Sequence, residues 1–204
     1  MKKTIIGVLA STRGTDLQAV IDEIESGKLD AEIACVISNK QDAYALERAR
    51  EHKIEAIYID QKNKTREQFD EEVIKELERR NVELILLIGY MRYLSKPFIE
   101  KYRNRIMNIH PSLLPAFAGG MDKSVHETIL EHGCKVTGCT LHFVDEGADT
   151  GPIIQQKAVE ITEDDTVESL KEKVQKAEQE IILKSVRLFQ EGRLKVEGRK
   201  VKIL

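Results

Sequence analysis

The sequence has no tryptophan, few cysteines and no long apolar run. The last two shortages each exclude a class of protein. Its three cysteines, Cys35, Cys134 and Cys139, are odd in number and lack the paired short spacing of a zinc site. We therefore expect buried, reduced thiols in a cytoplasmic protein. No apolar stretch approaches the ~20 residues needed to cross a bilayer, so no membrane partner is expected.

The sequence also lacks a large excess of charge of either sign. Lys and Arg number 32 against 35 Asp and Glu, and no basic tract suited to a phosphate backbone is present, so nucleic acid is not an expected partner. The only close acidic cluster, residues 163–165, is interpreted as the entry to a helix capped by Asp165 or Thr166. No metal site is predicted.

The apolar pattern alternates between strand and helix. Residues 4–10 form a nearly continuous apolar run, typical of a parallel strand covered on both faces, and the spacing of residues 17–24 predicts a helix. The alternation continues with strands at 33–38, 56–59 and 84–88 and helices at 43–51 and 66–80. This βαβα order predicts an α/β fold with a parallel sheet and right-handed crossovers.

More closely spaced elements follow, and they predict a mixed or antiparallel continuation with helices on both faces. They are a short helix at 97–102, a strand at 105–109, a helix at 124–132, strands at 137–144 and 153–161, a long helix at 167–189 and two short terminal strands. The length fits one large domain.

The turn of residues 11–16 is the first candidate site. It joins the first strand to the first helix, where backbone N–H groups and the helix dipole favour an anion such as phosphate. It lacks the repeated glycines of a dinucleotide site and the Gly-Lys-Ser/Thr ending of a P-loop. The alternative, left open at this point, is a simple helix cap by Thr15 or Asp16.

The second candidate is the segment 108–115, Asn-Ile-His-Pro-Ser-Leu-Leu-Pro, at the carboxyl end of a predicted strand. Asn108 and His110 are two residues apart, so in a strand their side chains share a face. Their donors suit an oxyanion forming at a carbonyl carbon, and His110 can exchange a proton. A purely structural histidine is the alternative.

The third candidate is the segment 142–152, an acidic, glycine-containing loop between two apolar strands. Its Asp149 could orient the imidazole of His110 or keep it cationic, whereas Asp145 and Glu146 are interpreted as solvated loop residues. His142 alternates with Phe143 in a predicted strand and is interpreted as a packed or surface residue.

In order, these segments resemble the phosphoribosylglycinamide formyltransferases, a folate-dependent family of purine synthesis, essentially end to end. The most specific marks are the 108–115 segment, His-Phe-Val at 142–144 and the Asp-x-Gly-Pro of residues 149–152. Gly-Thr-Asp-Leu-Gln-Ala at 14–19 and Gly-Tyr-Met-Arg-Tyr-Leu-Ser at 89–95 are similar to the family's phosphate turn and folate segment. The resemblance implies a Rossmann-like formyltransferase domain over residues 1–204, with a phosphate-binding half (about 1–107) and a catalytic, folate-facing half (about 108–204).

The implied reaction moves the formyl group of 10-formyltetrahydrofolate to the amine of glycinamide ribonucleotide, without a metal. His110 would be the general acid and base, Asn108 would hold the formyl oxygen and Asp149 would support the histidine. The other implied contacts are Gly14, Thr15 and Asp16 for the substrate phosphate, Glu178 for its glycinamide or ribose end, and Arg66, Met91, Arg92, Tyr93, Leu94 and Asn108 for the folate. The expected partners are these small molecules, and the chain is expected to be a monomer or homodimer.

Two departures from the family pattern bear on these roles. Asp16 stands where the family has Asn, and its carboxylate would repel a phosphate unless it turned away to cap the helix. The run 118–123 is slightly longer than the pattern.

Two rival classes remain. A folate deformylase or a formyltransferase acting on initiator tRNA would need a further domain, for which this length leaves no room. A non-catalytic phosphate-binding module would not need Asn108, His110 and Asp149 together.

Overall fold

The structure, a computed structural model, describes residues 3–119 and 125–204. The chain divides into two compact units, Met1–Asn108 and Ile109–Leu204. The predicted start of a helix at Ser124 lies outside the described residues.

The first unit alternates strand and helix as the apolar pattern predicts. Its elements are β1 (Thr4–Ala10), α1 (Thr15–Glu25), β2 (Ala31–Ser38), α2 (Tyr44–Glu51), β3 (Glu55–Tyr58), α3 (Arg66–Arg79), β4 (Leu84–Ile88), α4 (Lys96–Lys101) and β5 (Ile106–His110), whose last two residues belong to the second unit. The strands pair in parallel in the order β3-β2-β1-β4-β5.

This strand order decides where the helices lie. Passing from β1 through β2 to β3 moves one way across the sheet, whereas passing from β3 to β4 and β5 moves back the other way. Right-handed crossovers therefore put α1 and α2 on one face and α3 and α4 on the other. The strands β1 and β4 lie between the two helix layers and are almost completely buried, which is why their sequences are apolar throughout.

The second unit holds the mixed and antiparallel strands. Its elements are α5 (Val125–Glu131), β6 (Val136–Phe143), β7 (Ile153–Glu160), α6 (Val167–Gln190), β8 (Leu194–Glu197) and β9 (Lys200–Ile203). The pairs β6–β7 and β8–β9 are antiparallel, and β7–β9 is parallel. The predicted α/β fold class, with a parallel sheet first and mixed and antiparallel strands later, is confirmed.

The long helix α6 illustrates how the sequence specifies an element. Its apolar residues recur at helical spacing and are buried against β6 and β7: Leu170, Val174, Ala177, Ile181 and Val186. Its start has a capping box, in which the Thr166 hydroxyl accepts from the Ser169 amide and the Ser169 hydroxyl accepts from the Thr166 amide. Of the two caps that the sequence predicted, Asp165 or Thr166, the structure has Thr166.

The cysteine prediction is partly wrong. Cys35 in β2 and Cys139 in β6 are buried, and burial raises the pKa of the Cys35 thiol to about 12. Cys134 is only half-buried, because it precedes β6 in the connection from α5. Within residues 3–119 and 125–204, no helix combines the length and apolar character that a membrane span requires.

Candidate active site

The segment that follows His110 is fixed by β6 and β7. The Thr140 hydroxyl donates to the Ser112 carbonyl over 2.7 Å and accepts from the Leu114 amide over 3.0 Å. The Gln156 side-chain amide donates to the Leu114 carbonyl over 3.0 Å. The peptide bond between Leu114 and Pro115 is cis. The hydrogen bonds from Thr140 and Gln156 hold the chain as it leaves β5 and thereby restrain His110.

His110 and Asp149 come together as the sequence predicts. His110 is the last residue of β5 and is 6% exposed, while Asp149 lies in the β6–β7 loop with a positive φ of 55°. The distance from His110 Nδ1 to Asp149 Oδ2 is 3.4 Å. His110 Nε2 is buried and has no hydrogen-bond partner among the described residues. One ring nitrogen therefore faces the carboxylate, and the other is left for chemistry.

A second histidine lies beside Asp149. His142 in β6 is 2% exposed, its Nε2 lies 3.6 Å from Asp149 Oδ1, and its Nδ1 lies 2.9 Å from the Phe143 carbonyl oxygen. The Gly119 amide donates to Asp149 Oδ2 over 2.9 Å. The sequence interpretation of His142 as only a packed or surface residue missed this contact, because strand alternation does not show where the distant loop returns.

The electrostatics favour a neutral imidazole beside an ionised carboxylate. Burial lowers the pKa of His110 below its ordinary value of 6.5, and His142 lowers it further, while Asp149 and a hydrogen bond to the Phe117 backbone oppose the shift. Burial would raise the pKa of Asp149, but hydrogen bonds from His142 and the Gly119 amide, with the field of His110, lower it below the ordinary value. The arrangement suits a base that accepts a proton and a carboxylate that stabilises the resulting cation.

Asp145 builds the loop that carries Asp149. Its Oδ1 accepts from the Gly147 amide over 3.1 Å and from the Thr150 hydroxyl over 2.6 Å. At the loop's base, the Phe143 amide donates to the Pro152 carbonyl over 2.9 Å. The interpretation of Asp145 as a simply solvated residue is therefore wrong, because its carboxylate organises the loop.

In the turn of residues 11–16, called the phosphate turn below, the residue that caps α1 is not one of the two that the sequence left open. The cap residue is Gly14 with φ 64°, so capping by Thr15 or Asp16 is wrong. Thr15 is the first helical residue, and Asp16 is 7% exposed in the first turn. The first N–H groups of a helix have no acceptor within the helix, and Gly14 has no side chain to satisfy them. The start of a helix presents N–H groups and the positive end of the dipole, and both favour an anion.

Glycine is required at position 14, which gives a testable prediction. A Cβ there would lie 2.9 Å from the Ala45 Cβ, in addition to the left-handed backbone. We expect Gly14→Ala to lower the free energy of unfolding by more than the roughly 1–2 kcal/mol of left-handed strain alone. The measurement is chemical denaturation, with Gly27→Ala as the matched control.

Gly27 also has a positive φ, 71°, but a Cβ there would meet nothing within 4 Å. The control therefore carries the strain without the contact. Equal losses of stability in the two variants would contradict the close approach of α2 to the turn.

The predicted folate residues follow β4 in the first unit. Leu94 is buried, whereas Met91 and Tyr93 are 42% and 43% exposed. The Arg92 guanidinium lies 4.2 Å from the centre of the buried Phe69 ring. Because β1 and β4 pair directly, this segment meets the phosphate turn: the Ser11 amide donates to the Gly89 carbonyl over 3.1 Å.

The remaining predicted residues lie on helices and on β5. Arg66 is the exposed first residue of α3, and Glu178 is buried in α6 of the second unit at 8% exposure. Asn108 is half-buried in β5, two residues before His110. In the part of the chain that the structure describes, no three His, Cys, Asp or Glu side chains are grouped to hold a metal ion.

Comparison with known proteins shows which family this chain is similar to. The family model described as formyl transferase matches residues 4–186. A phosphoribosylglycinamide formyltransferase of Haemophilus influenzae is 39% identical over 198 residues, which cover 97% of this chain and 91% of that protein. The crystal structure of glycinamide ribonucleotide transformylase 1 from Symbiobacterium toebii has a TM-score of 0.93 at 46% identity, covering 99% of this chain and 94% of that one.

Longer proteins match as well. The trifunctional purine biosynthetic protein adenosine-3 of Gallus gallus is 43% identical over 195 residues, 95% of this chain. The matched part is 19% of that relative's length, so the chain spans about a fifth of it.

Proposed function

The chain belongs to the formyl transferase family, and from that membership we propose that it transfers the formyl group of 10-formyltetrahydrofolate to the amine of glycinamide ribonucleotide. The products are the N-formyl ribonucleotide and tetrahydrofolate, a step of purine synthesis. The observation that carries the proposal is the buried His110, with Asp149 facing one ring nitrogen and the other nitrogen left for the substrate. We place the protein in the cytoplasm, as a single formyltransferase domain in a monomer or homodimer.

Attack begins with the amine. The amine lone pair forms a bond to the formyl carbon, and the carbonyl electron pair moves onto oxygen. We assign the donor role at that oxygen to Asn108, because a side-chain amide N–H can stabilise an oxyanion. His110 Nε2 takes the proton that the amine nitrogen releases, which requires the neutral ring that its lowered pKa provides.

Collapse of the tetrahedral intermediate completes the transfer. The oxyanion re-forms the carbonyl, the bond from carbon to the folate N10 breaks, and its electron pair goes to N10. His110 returns the proton to that nitrogen, so the ring ends neutral as it began. Between these steps the imidazolium is stabilised by the Asp149 carboxylate at 3.4 Å.

Substrate contacts follow from the predicted segments. The amide donors at the start of α1, around Gly14 and Thr15, suit the ribonucleotide phosphate. Asp16 is buried in that first turn, and we assign it to the turn's structure beside the phosphate. We assign Glu178 to the glycinamide or ribose end, and Arg66 with Met91, Arg92, Tyr93, Leu94 and Asn108 to the folate.

An acceptor-dependence assay tests the function. Purified protein is given 10-formyltetrahydrofolate with and without glycinamide ribonucleotide, and loss of the formyl donor is followed. We expect loss only when the acceptor is present. Equal loss without acceptor would show a deformylase instead, and no loss in either reaction would overturn the proposed activity.

A further inference from the structure

A closed ring of hydrogen bonds links the phosphate turn to the folate segment, defined here as residues 91–94. The Ser11 hydroxyl donates to Asn39 Oδ1 over 2.6 Å and accepts from the Met91 amide over 2.9 Å. Asn39 Nδ2 donates to Gln61 Oε1 over 3.1 Å, and Arg92 Nη1 donates to the same oxygen over 2.5 Å. The peptide bond between Met91 and Arg92 closes the ring.

The ring lies at the ligand-binding edge of the parallel sheet. Ser11, Asn39 and Gln61 come after β1, β2 and β3, and Met91 comes after β4, so all lie beyond the carboxyl ends of parallel strands. The five residues of the ring thus come from four strand connections, because Met91 and Arg92 share the connection after β4. These hydrogen bonds fix the four loops relative to one another. Without them, the position of each loop would depend only on the strand that it follows.

Asn39 occupies the central position of the ring. It is 5% exposed, and its amide is used on both sides: the oxygen accepts from Ser11, and the nitrogen donates to Gln61. Gln61 Oε1 is therefore held by a neutral donor on one side and the Arg92 guanidinium on the other. Only a side chain with one acceptor and one donor satisfies both neighbours in this orientation.

The other end of the folate segment is also tied down. The Ser95 amide donates to Asp70 Oδ2 over 2.5 Å, and Asp70 is 1% exposed in α3. Arg92 packs over Phe69, the residue before Asp70. With Ser95 fixed by α3, the ring determines where Met91 and the Arg92 guanidinium lie.

We propose that Asn39 is a positioning residue that holds the folate segment through Ser11 and Gln61 and so sets folate affinity without taking part in the reaction. The inference rests on the proposed function, because it takes residues 91–94 as the folate segment. Removing Asn39 leaves Gln61 Oε1 without one of its two donors, so the Gln61 side chain holds the Arg92 guanidinium less rigidly. The chemistry at the formyl carbon is unchanged by this loss.

The test compares Asn39→Ala, Asn39→Asp and Gln61→Ala with the wild type, in the folate KM, in kcat and in the Kd of tetrahydrofolate measured by fluorescence. We expect each variant to raise the folate KM and the Kd on the order of tenfold, with kcat within about twofold. Asn39→Asp keeps the acceptor for Ser11 but loses the donor to Gln61, so it isolates that bond. Gln155→Ala removes a comparable amide bond, to Ser185, outside the ring and should change neither constant.

A double variant tests whether Asn39 and Gln61 act together in positioning the folate segment or weaken tetrahydrofolate binding independently. Because the two residues act in one ring, Asn39→Ala combined with Gln61→Ala should raise the Kd no more than either alone. Multiplicative effects, or an unchanged Kd in the folded Asn39 variants, would overturn the inference. Failure of the wild type to bind tetrahydrofolate at all would instead overturn the proposed function.

Discussion

Replacing His110 with alanine is expected to lower kcat for formyl transfer by about 10²–10⁴, the range for removing a general acid–base group. The reason is geometric: His110 Nε2 is the buried nitrogen left to exchange a proton, and Asp149 faces the other ring nitrogen. The folate KM should change little, because His110 is not among the residues assigned to folate binding. Steady-state kinetics with both substrates measures the loss.

His132→Ala is the matched control for that experiment. His132 is exposed, and its Nδ1 contacts the Thr128 carbonyl oxygen of the preceding turn, away from Asp149. We expect near wild-type turnover from it. A folded His110→Ala variant, checked by circular dichroism, that turned over at the wild-type rate would refute the acid–base role.

Replacing Asp149 with asparagine should lower kcat by about 10²-fold or more, since the imidazolium formed during transfer loses its counter-charge. It should also move the pH profile. The negative charge of Asp149 raises the pKa of His110 against the dominant lowering by burial, so removing that charge lowers the pKa of His110 further. We expect the acidic limb of kcat/KM to lie below pH 6.5 in the wild type and to shift to lower pH in Asp149→Asn.

The lowered pKa of His110 in the wild type also affects the stability of the fold. The folded-state pKa of His110 is lowered, so its contribution to stability is present above its ordinary value of 6.5 and is lost as pH falls through the folded value.

Asp164→Asn is the control for Asp149→Asn. Asp164 is an exposed carboxylate at the entry to α6, and its replacement should leave the acidic limb of kcat/KM in place. An acidic limb that moved to higher pH in Asp149→Asn would contradict the electrostatic account.

The parallel sheet could be predicted from the sequence because its strands are buried on both faces. Residues 4–10 and 84–88 are apolar throughout, and the structure has strands with these bounds. The helix α6 was equally clear, since its apolar spacing and its Thr166 cap are local features. The Asn-x-His spacing in β5 and the joining of His110 with Asp149 followed from strand geometry and family resemblance together.

What could not be predicted depends on contacts between distant segments. The α1 cap at Gly14 lies against Ala45, 31 residues later, and the local sequence does not show this close approach. The role of His142 depends on how the loop returns Asp149 to β6. Asn39 gave no sequence signal, because its importance arises from loops that only the folded sheet brings together.

Following an isotopically labelled formyl carbon tests the central claim most directly. The protein is incubated with labelled 10-formyltetrahydrofolate and glycinamide ribonucleotide, and the labelled carbon is located by NMR. We expect the label to appear in the amide of the N-formyl ribonucleotide and His110→Ala to suppress this signal. Label recovered as free formate, or an equal amide signal from His110→Ala, would contradict it.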